Sequence, residues 1–227
     1  TILRHGQLVA EVDPQVETAA TLAQLMVGSS VHQVNRPANN AVGPVLLQLK
    51  HLNQPSNTPF GVALVDINLS VKTGEILAIA GVAGNGQGEL FGVISGEEGD
   101  RSSRSMVLMN QVCNQLTINQ RRQLGAAFVP EERMGHGAVE HLSLTDNILL
   151  SRHACNDTPN PLNRGLMGID RAQLATLNAT IGRDYDVRKG REDAQAGSLS
   201  GGNLQADEVR QKVKGPEDSP LKLLVLR

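Results

Sequence analysis

The sequence predicts an α/β fold built around a phosphate-binding strand, loop and helix. An apolar run at residues 75–80 leads into a glycine-rich segment at residues 81–88, and an amphipathic helix follows. A strand, a glycine-rich loop and a helix in this order form a common phosphate-binding unit of α/β proteins. Strand-like and helix-like segments also alternate along the rest of the chain, which favours the α/β class.

The first part of the chain is predicted to be separate from the rest. We expect a hairpin over residues 1–12 and a helix over residues 18–27 that ends at Gly28. Residues 31–43 have the Ser, Asn, Pro and Gly content of a linker. A domain boundary is therefore predicted between residues 1–30 and residues 44–227.

Hydrophobic patterns predict the elements of the second domain in order. The run at residues 75–80 is expected to be a strand buried on both faces, and the other strands are expected at residues 45–52, 64–71, 106–112 and 126–129. Helices are expected at residues 87–95, 119–124 and 143–150 and after Asp170, with N-caps at Asn119, Ser143 and Asp170. The charged segment 206–219 is expected to be exposed, with only Val209 and Val213 facing a core.

Composition excludes several classes of protein. The chain of 227 residues has 21 Lys and Arg, 23 Asp and Glu and a net charge of -2 at pH 7, so nucleic-acid binding is not expected. With three Phe, one Tyr and no Trp, few aromatic side chains are present to stack on bases. The two cysteines lie in no metal-binding pattern, which fits a reducing cytoplasm. No apolar run approaches the roughly 20 residues that span a bilayer, and no signal peptide is recognised at the start.

The glycine-rich segment matches a phosphate-binding loop in its glycines but not in its last residues. Glycines let backbone N–H groups approach phosphate oxygens, and the helix N-terminus adds partial positive charge. In the frame G-x-x-x-x-G-K-[ST], Gln87 replaces the Lys and Gly88 replaces the hydroxyl residue that binds Mg²⁺. A phosphate site with weakened hydrolysis is predicted, and a glycine-rich turn without a ligand is the alternative. The candidate binding residues are Gly81, Gly84, Asn85, Gly86, Gln87, Gly88 and Glu89.

A second motif, LSGGN, occupies residues 199–203. Ser200 followed by two glycines at a helix start offers a hydroxyl and free backbone N–H groups to an anion. By itself this pattern favours an ordinary helix N-cap at Ser200. In combination with the phosphate loop, the motif adds further candidate nucleotide-binding residues, which are Ser200, Gly201, Gly202 and Asn203.

Together the two motifs resemble the nucleotide-binding domain of ABC transporters, in which LSGGN is the signature sequence. Within that family the chain is most similar to the ATP-binding subunits of bacterial importers for simple sugars and nucleosides, which contain two such domains. VPEERMGHG at residues 129–137 resembles their replacement of the Q-loop and places Glu131 near the usual Gln. The resemblance implies a P-loop NTPase-like ABC domain, the second of two and incomplete at its C-terminus near Walker B, after a remnant of the first.

The resemblance also implies ATP and Mg²⁺ as cofactors and ATP hydrolysis coupled to import. It implies a head-to-tail pair of domains, in which the signature of each domain completes the ATP site at the phosphate loop of the other. The chain then provides half of each site, and the stronger hydrolytic site is the one that receives its LSGGN. Transmembrane permease subunits are the implied partners, opposite the loop of Glu131, at the cytoplasmic face of the inner (plasma) membrane.

Several residues depart from the family pattern. Arg227 stands where the Walker B Asp is expected, and the catalytic Glu and switch His have no counterpart, so we assign no catalytic residue and no metal ligand. His153 and Cys155 are too few to form a metal site. Phe60 is a candidate for stacking on adenine or for an ordinary core or loop position. Two alternatives stay open: a regulatory half that binds ATP without hydrolysing it, and a truncated product without a function.

Overall fold

The chain divides into two compact units, Thr1–Asn40 and Ala41–Arg227. A computed structural model describes residues 1–4, 6–28, 42–56, 58–98, 105–152, 168–184, 187, 189–213 and 223–227. The division lies within residues 31–43, the predicted linker, most of which is outside the described residues. The assignment of residues 1–30 to a preceding domain stays a prediction.

The first unit contains a hairpin and a helix. Strand β1 (Ile2–Arg4) pairs in antiparallel register with β2 (Gln7–Ala10). Helix α1 (Ala19–Val27) begins after Thr18, whose side chain accepts a backbone hydrogen bond, and it ends at Gly28 with φ 82°. Only glycine adopts this left-handed conformation at low cost. The predicted hairpin, helix and glycine C-cap are therefore confirmed.

The second unit combines an antiparallel sheet, a parallel strand pair and several helices. Its elements among the described residues are β3 (Val45–Gln54), β4 (Leu64–Lys72), α2 (Gln87–Ser95), β5 (Met106–Leu108), β6 (Gln111–Val112), α3 (Ile118–Gln123), β7 (Ala126–Val129), α4 (Leu144–Arg152), α5 (Arg171–Asp184), α6 (Gly201–Val213) and β8 (Leu223–Leu226). The antiparallel sheet has the order β4-β3-β5-β6, and β7 pairs with β8 in parallel. Within the described residues, no helix is both long and apolar enough to cross a membrane.

Two hydrophobic cores hold the second unit together. The first core lies between the antiparallel sheet, α2 and the β7–β8 pair. In it the rings of Phe91 and Phe128 meet edge to face, with centroids 6.5 Å apart. The second core joins α4, α5 and α6 through Ile148, Ile181 and Leu204. The first core thus positions α2 and the loop before it, and the second positions α6 and the LSGGN motif.

Arg121 links α2 to α3 from inside the unit, with 2% of its surface exposed. Its guanidinium donates hydrogen bonds to the carbonyls of Val93 (2.6 Å), Ile94 (2.7 Å), Cys113 (2.8 Å) and Leu116 (3.0 Å). The first two carbonyls belong to the last turn of α2, where the helix itself supplies no donors. A buried charge is tolerated here because several acceptors surround it.

Helix and strand boundaries mostly agree with the sequence. Ser143 and Asp170 accept backbone hydrogen bonds at the starts of α4 and α5, as predicted. Two boundaries were wrong. The strand expected at residues 106–112 is split into β5 and β6 by a tight turn, in which Met109 and Asn110 have positive φ. Helix α3 is capped by the side chain of Thr117, not by Asn119.

The strand expected at residues 75–80 is the largest error. This segment has no regular structure and is exposed, with Ile76 at 84% and Ile79 at 56% of full exposure. A strand needs a hydrogen-bonded neighbour, and this segment is paired with no strand among the described residues. The apolar run instead forms one wall of an open cavity of about 960 Å³, and Leu224 and Leu226 of β8 contribute to another wall.

The charged segment after LSGGN was also predicted wrongly. It continues α6 to Val213 and contacts α4, α5 and β7, so it is not a solvated stretch. Asp207, Glu208 and Gln211 are only 1%, 3% and 3% exposed. Val209 is half-buried, and residues 214–219 lie outside the described part of the chain.

Hydrogen bonds partly compensate the polar groups buried on α6. The Gln211 amide donates to Asp207 at 2.5 Å. The ammonium of Lys212 donates to a carboxylate oxygen of Glu208 and to the carbonyl of Phe128, each at 2.6 Å. The second carboxylate oxygen of Glu208 is buried without a hydrogen-bond partner. Burial lowers the pKa of Lys212, and the Glu208 charge opposes that shift.

Candidate functional site

The glycine-rich loop leads directly into the N-terminus of α2. Gly84 and Gly86 have φ values of 85° and 98°, a left-handed conformation that favours glycine. The carbonyl of Gly86 accepts the first helical hydrogen bond, from Leu90 at 2.9 Å. The N–H groups of the first turn of α2 have no partner within the helix and are available to an acceptor at the loop. This arrangement is suited to bind an anion.

The side chain of Gln87 folds back across the loop. Its amide nitrogen donates to the carbonyl of Val82 at 3.1 Å, and its amide oxygen accepts from the backbone N–H of Asn85 at 3.1 Å. A Cβ at Gly81 would lie only 2.7 Å from the Gln87 amide nitrogen. A neutral oxygen therefore satisfies a backbone donor that a phosphate oxygen could satisfy instead.

Glu89 ties α2 to the segment that precedes β4. Its carboxylate accepts a hydrogen bond from the backbone N–H of Val62 at 3.0 Å. This bond is the main reason that the pKa of Glu89 lies below its ordinary value, with smaller contributions from its own N–H and from Arg227. Phe60, two residues before Val62, is 99% exposed, so the core alternative for this side chain is wrong.

Arg227 lies beside the loop from the end of β8. A Cβ at Gly88 would lie 2.7 to 2.9 Å from the terminal guanidinium atoms of Arg227. The same guanidinium forms an ion pair with Glu131 at 3.1 Å. The backbone N–H of Arg227 donates to the carbonyl of Val129 at 3.0 Å, which holds Arg227 against the end of β7. Sequence reasoning identified the substitution at Arg227 but not its position against Gly88.

A cavity of about 690 Å³ opens between this loop and the segment after β7. Its walls include Gly84, Gly88, Glu89, Glu131 and Arg227. The structure therefore brings Glu131 to the same cavity as the phosphate loop. Among the described residues that line it, Arg227 is the only Lys or Arg.

The LSGGN motif lies at the start of α6, away from the cavities that the phosphate loop lines. The backbone N–H of Asn203 is 3.5 Å from the hydroxyl of Ser200, so Ser200 is a weak N-cap. Arg133, from the segment after β7, donates to Gln205 at 3.3 Å and lies where a Cβ on Gly201 would be. Nothing in the sequence indicated this role of Arg133.

The two predicted sets of residues do not share the cavities beside the phosphate loop. The LSGGN residues are absent from the described lining of both cavities that the loop lines. His153 and Cys155, the pair that is too small to form a metal site, lie outside the described residues. In the part of the chain that is described, no three His, Cys, Asp or Glu side chains are grouped to hold a metal ion.

Known proteins with similar sequences are ATP-binding proteins of importers. The chain is 29% identical to the nucleoside import ATP-binding protein NupA of Lactococcus lactis, over 94% of the chain and 41% of the relative. It is 32% identical to the glucose import ATP-binding protein TsgD13 of Haloferax volcanii and 31% identical to the guanosine import ATP-binding protein NupO of Bacillus subtilis, over 90% of the chain in both cases. The chain spans 36% and 39% of their lengths. No family model matches the chain.

Solved structures decide the fold. The chain superimposes on a nucleotide-free ATP-binding cassette from an ABC transporter with a TM-score of 0.57 and 16% identity, over 80% of the chain and 68% of that structure. It matches cbiO1 of Clostridium perfringens, part of an ABC transporter complex, with a TM-score of 0.54 and 19% identity, over 81% of the chain and 65% of that structure. The chain has the ATP-binding cassette fold. The predicted fold class and the predicted resemblance to sugar and nucleoside importers are confirmed.

The family resemblance implies ATP and Mg²⁺, and the residues at the loop fit these two groups differently. The phosphates of a nucleotide fit, because the loop is open at Gly84 and has backbone donors at the start of α2. Mg²⁺ does not fit at the loop itself. Glu89, Glu97, Glu98, Glu131 and Glu132 line the adjoining cavity, but no three described carboxylates are grouped to hold a metal ion. Gly88 has no hydroxyl to offer the ion, and a guanidinium occupies the space beside it. Cation ligands are oxygen atoms, whereas Arg227 adds a positive charge.

Proposed function

We propose that the cassette is an ATP-binding component of an importer for simple sugars or nucleosides. Its similarity to importer ATP-binding proteins over 90% or more of its length supports this function. The fold and the loop at the start of α2 are consistent with it. Because the cassette spans 41% or less of these relatives, transport itself belongs to a larger assembly.

The observation that supports nucleotide binding most strongly is the conformation of Gly84. It has φ 85°, and no atom lies within 4 Å of the position of a Cβ. The glycine is therefore not required for packing inside the cassette. A left-handed backbone beneath open space is what a close approach of phosphate to N–H groups requires.

The second half of the proposed function belongs to the LSGGN surface. We infer that Ser200, Gly201, Gly202 and Asn203 complete the ATP site of a second cassette in a head-to-tail pair. Mg²⁺ would accompany ATP at that shared site, where the second cassette supplies the phosphate loop. Closure of the pair would follow from the higher affinity of ATP for the closed state. We assign no catalytic residue for hydrolysis among the described residues of this cassette.

The membrane partners are also part of the proposal. An importer cassette would bind transmembrane permease subunits at the cytoplasmic face of the plasma membrane. The segment after β7, with Glu131, Glu132 and Arg133, is the proposed contact region. It lies between the phosphate loop and the LSGGN surface, since Arg227 bonds to Glu131 and Gln205 bonds to Arg133. A contact there would influence both nucleotide half-sites.

A second candidate function is a regulatory half that binds nucleotide and hydrolyses none. Gln87, Gly88 and Arg227 favour it for the phosphate loop of this chain, because they replace a cation and a metal site. The two functions are compatible in one importer. One composite site would hydrolyse ATP, and the other would only bind it.

Nucleotide binding is tested with one glycine variant and a matched control. In Gly84→Ala the new methyl group lies where phosphate would approach. Gly168→Ala is the control, because Gly168 also has positive φ, 78°, and open space around its Cβ position. Both changes should lower the free energy of unfolding by about 1 kcal/mol, the cost of a left-handed alanine. Calorimetric titration with ATP should give at least a tenfold weaker affinity for Gly84→Ala only.

Equal affinities of the two variants would contradict the loop assignment. Thermal unfolding with and without ATP provides an independent readout, since a ligand that binds the folded state raises the midpoint temperature. ATP should raise that midpoint in the natural sequence and in Gly168→Ala. Loss of the stabilisation in both variants would instead indicate that strain, not steric access, controls binding.

A further inference from the structure

We propose that the phosphate loop binds its nucleotide without Mg²⁺, and that the guanidinium of Arg227 supplies the positive charge in place of the metal ion. This inference rests on the proposed function, because it concerns the form of the nucleotide bound at Gly81–Gly88. It also departs from the family expectation that Mg²⁺ accompanies ATP at such a loop.

Three positions depart from the pattern that holds a nucleotide together with Mg²⁺. Gln87 is neutral where a Lys is expected, and Gly88 lacks the hydroxyl that would bind the ion. Arg227 replaces a carboxylate of the metal site with a cation. The loop therefore lacks the usual lysine and the usual ligands of Mg²⁺, and the cation beside it is Arg227.

The guanidinium of Arg227 lies where it can replace the charge of Mg²⁺ beside the phosphate loop. Its terminal atoms lie within 2.7 to 2.9 Å of where a Cβ on Gly88 would be, so the guanidinium occupies the space beside that glycine. Gly88 is the second residue of α2, at the helix end that attracts anions. The Arg227 side chain is 40% exposed, which leaves part of it accessible from the cavity.

The ion pair with Glu131 holds the guanidinium until a ligand arrives. Glu131 is 68% exposed, and an exposed ion pair contributes little to stability. A phosphate group offers Arg227 the same bidentate geometry as a carboxylate, with more negative charge. Arg227 can therefore exchange Glu131 for phosphate at small cost. Bound Mg²⁺ would reduce the charge of the phosphates and would be repelled by the guanidinium.

The test is calorimetric titration of the full 227-residue chain with ATP, once in EDTA and once in excess Mg²⁺ at equal ionic strength. The natural sequence should bind ATP in EDTA at least as tightly as in Mg²⁺. Arg227→Gln should weaken the affinity in EDTA about tenfold, the loss of roughly one charge-assisted hydrogen bond. Glu131→Gln should strengthen it several-fold, because the guanidinium then has no competing carboxylate.

Arg183→Gln is the matched control, since Arg183 is an exposed arginine paired with Asp184 at 3.1 Å. It should leave the affinity in EDTA unchanged. Binding that requires Mg²⁺, with the carboxylates of the cavity as its ligands, would overturn the inference. So would an unchanged affinity of Arg227→Gln while Gly84→Ala abolishes binding, a result that leaves nucleotide binding at the loop intact. If ATP binds in neither condition, the phosphate-loop function fails as well.

Discussion

The carboxylate of Glu89 accepts a hydrogen bond from the backbone N–H of Val62 at 3.0 Å. This bond fixes the segment before β4 against the first turn of α2. It therefore brings the backbone two residues after Phe60 to the start of α2, which follows the candidate phosphate loop. We expect the fully exposed Phe60 ring to contact the base of a nucleotide bound at that loop.

We expect Phe60→Ala to weaken ATP binding without affecting stability. Stacking on a base contributes about 1–3 kcal/mol, which corresponds to a loss of affinity of roughly 5- to 150-fold. Because the ring is 99% exposed, its removal should leave the midpoint of thermal unfolding unchanged. Tripolyphosphate, which has no base, serves as the control ligand. Equal weakening for ATP and tripolyphosphate would contradict a stacking role.

Gly202→Ala should stabilise the cassette while impairing the composite site. Gly202 lies in the first turn of α6, and nothing is within 4 Å of a Cβ placed on it. Alanine is favoured over glycine in a helix by up to about 1 kcal/mol. Urea unfolding should therefore give an equal or higher free energy of unfolding. ATP-dependent pairing with a second cassette, measured by sedimentation, should be lost, and retention of pairing would argue against the LSGGN surface.

Lys212→Met should destabilise the fold strongly. It removes the hydrogen bonds of Lys212 to Glu208 and to the Phe128 carbonyl, and each buried acceptor left without a donor costs about 1–3 kcal/mol. The double variant Glu208→Leu with Lys212→Met removes both charges and the unpaired oxygen of Glu208. It should recover most of the lost stability, since replacing a whole buried pair by apolar side chains is often neutral. If urea unfolding shows that the two substitutions lower the free energy of unfolding additively, the pairing of Lys212 with Glu208 is contradicted.

Stability should also rise with pH in the alkaline range because of Lys212. Burial places the pKa of Lys212 below its ordinary value of 10.5 in the folded state. Between the lowered pKa and 10.5, the unfolded chain retains a proton that the folded chain has released, so the free energy of unfolding increases with pH. Comparison with the double variant isolates this contribution from other titrating groups. The double variant should have a smaller upward slope, and identical slopes would exclude Lys212 as the cause.

Local signals in the sequence were sufficient to predict most helices and the glycine-rich loop. Gly28, Ser143 and Asp170 act at helix ends through contacts within a few residues, which a single sequence displays. The loop before α2 likewise follows from adjacent glycines. Such features need no information about distant parts of the chain.

The errors concern interactions between segments that are distant in the sequence. Residues 75–80 look like a buried strand, yet burial depends on which strands lie beside them. Residues 207–211 look like a solvated stretch, yet α6 places them against α4, α5 and β7. The contacts of Arg121 and Arg227 were also unforeseen, because the groups that these side chains contact belong to other elements.

The exposed run at residues 75–80 affects how the chain behaves when it folds at high concentration. Ile76 and Ile79 belong to an extended apolar segment whose backbone groups lack a paired strand among the described residues, and β8 has an open edge nearby. Open strand edges are the sites at which separate molecules join. Joining is second order in protein, whereas folding is first order. The yield of refolded monomer should therefore fall as the protein concentration rises, and dilution should restore it.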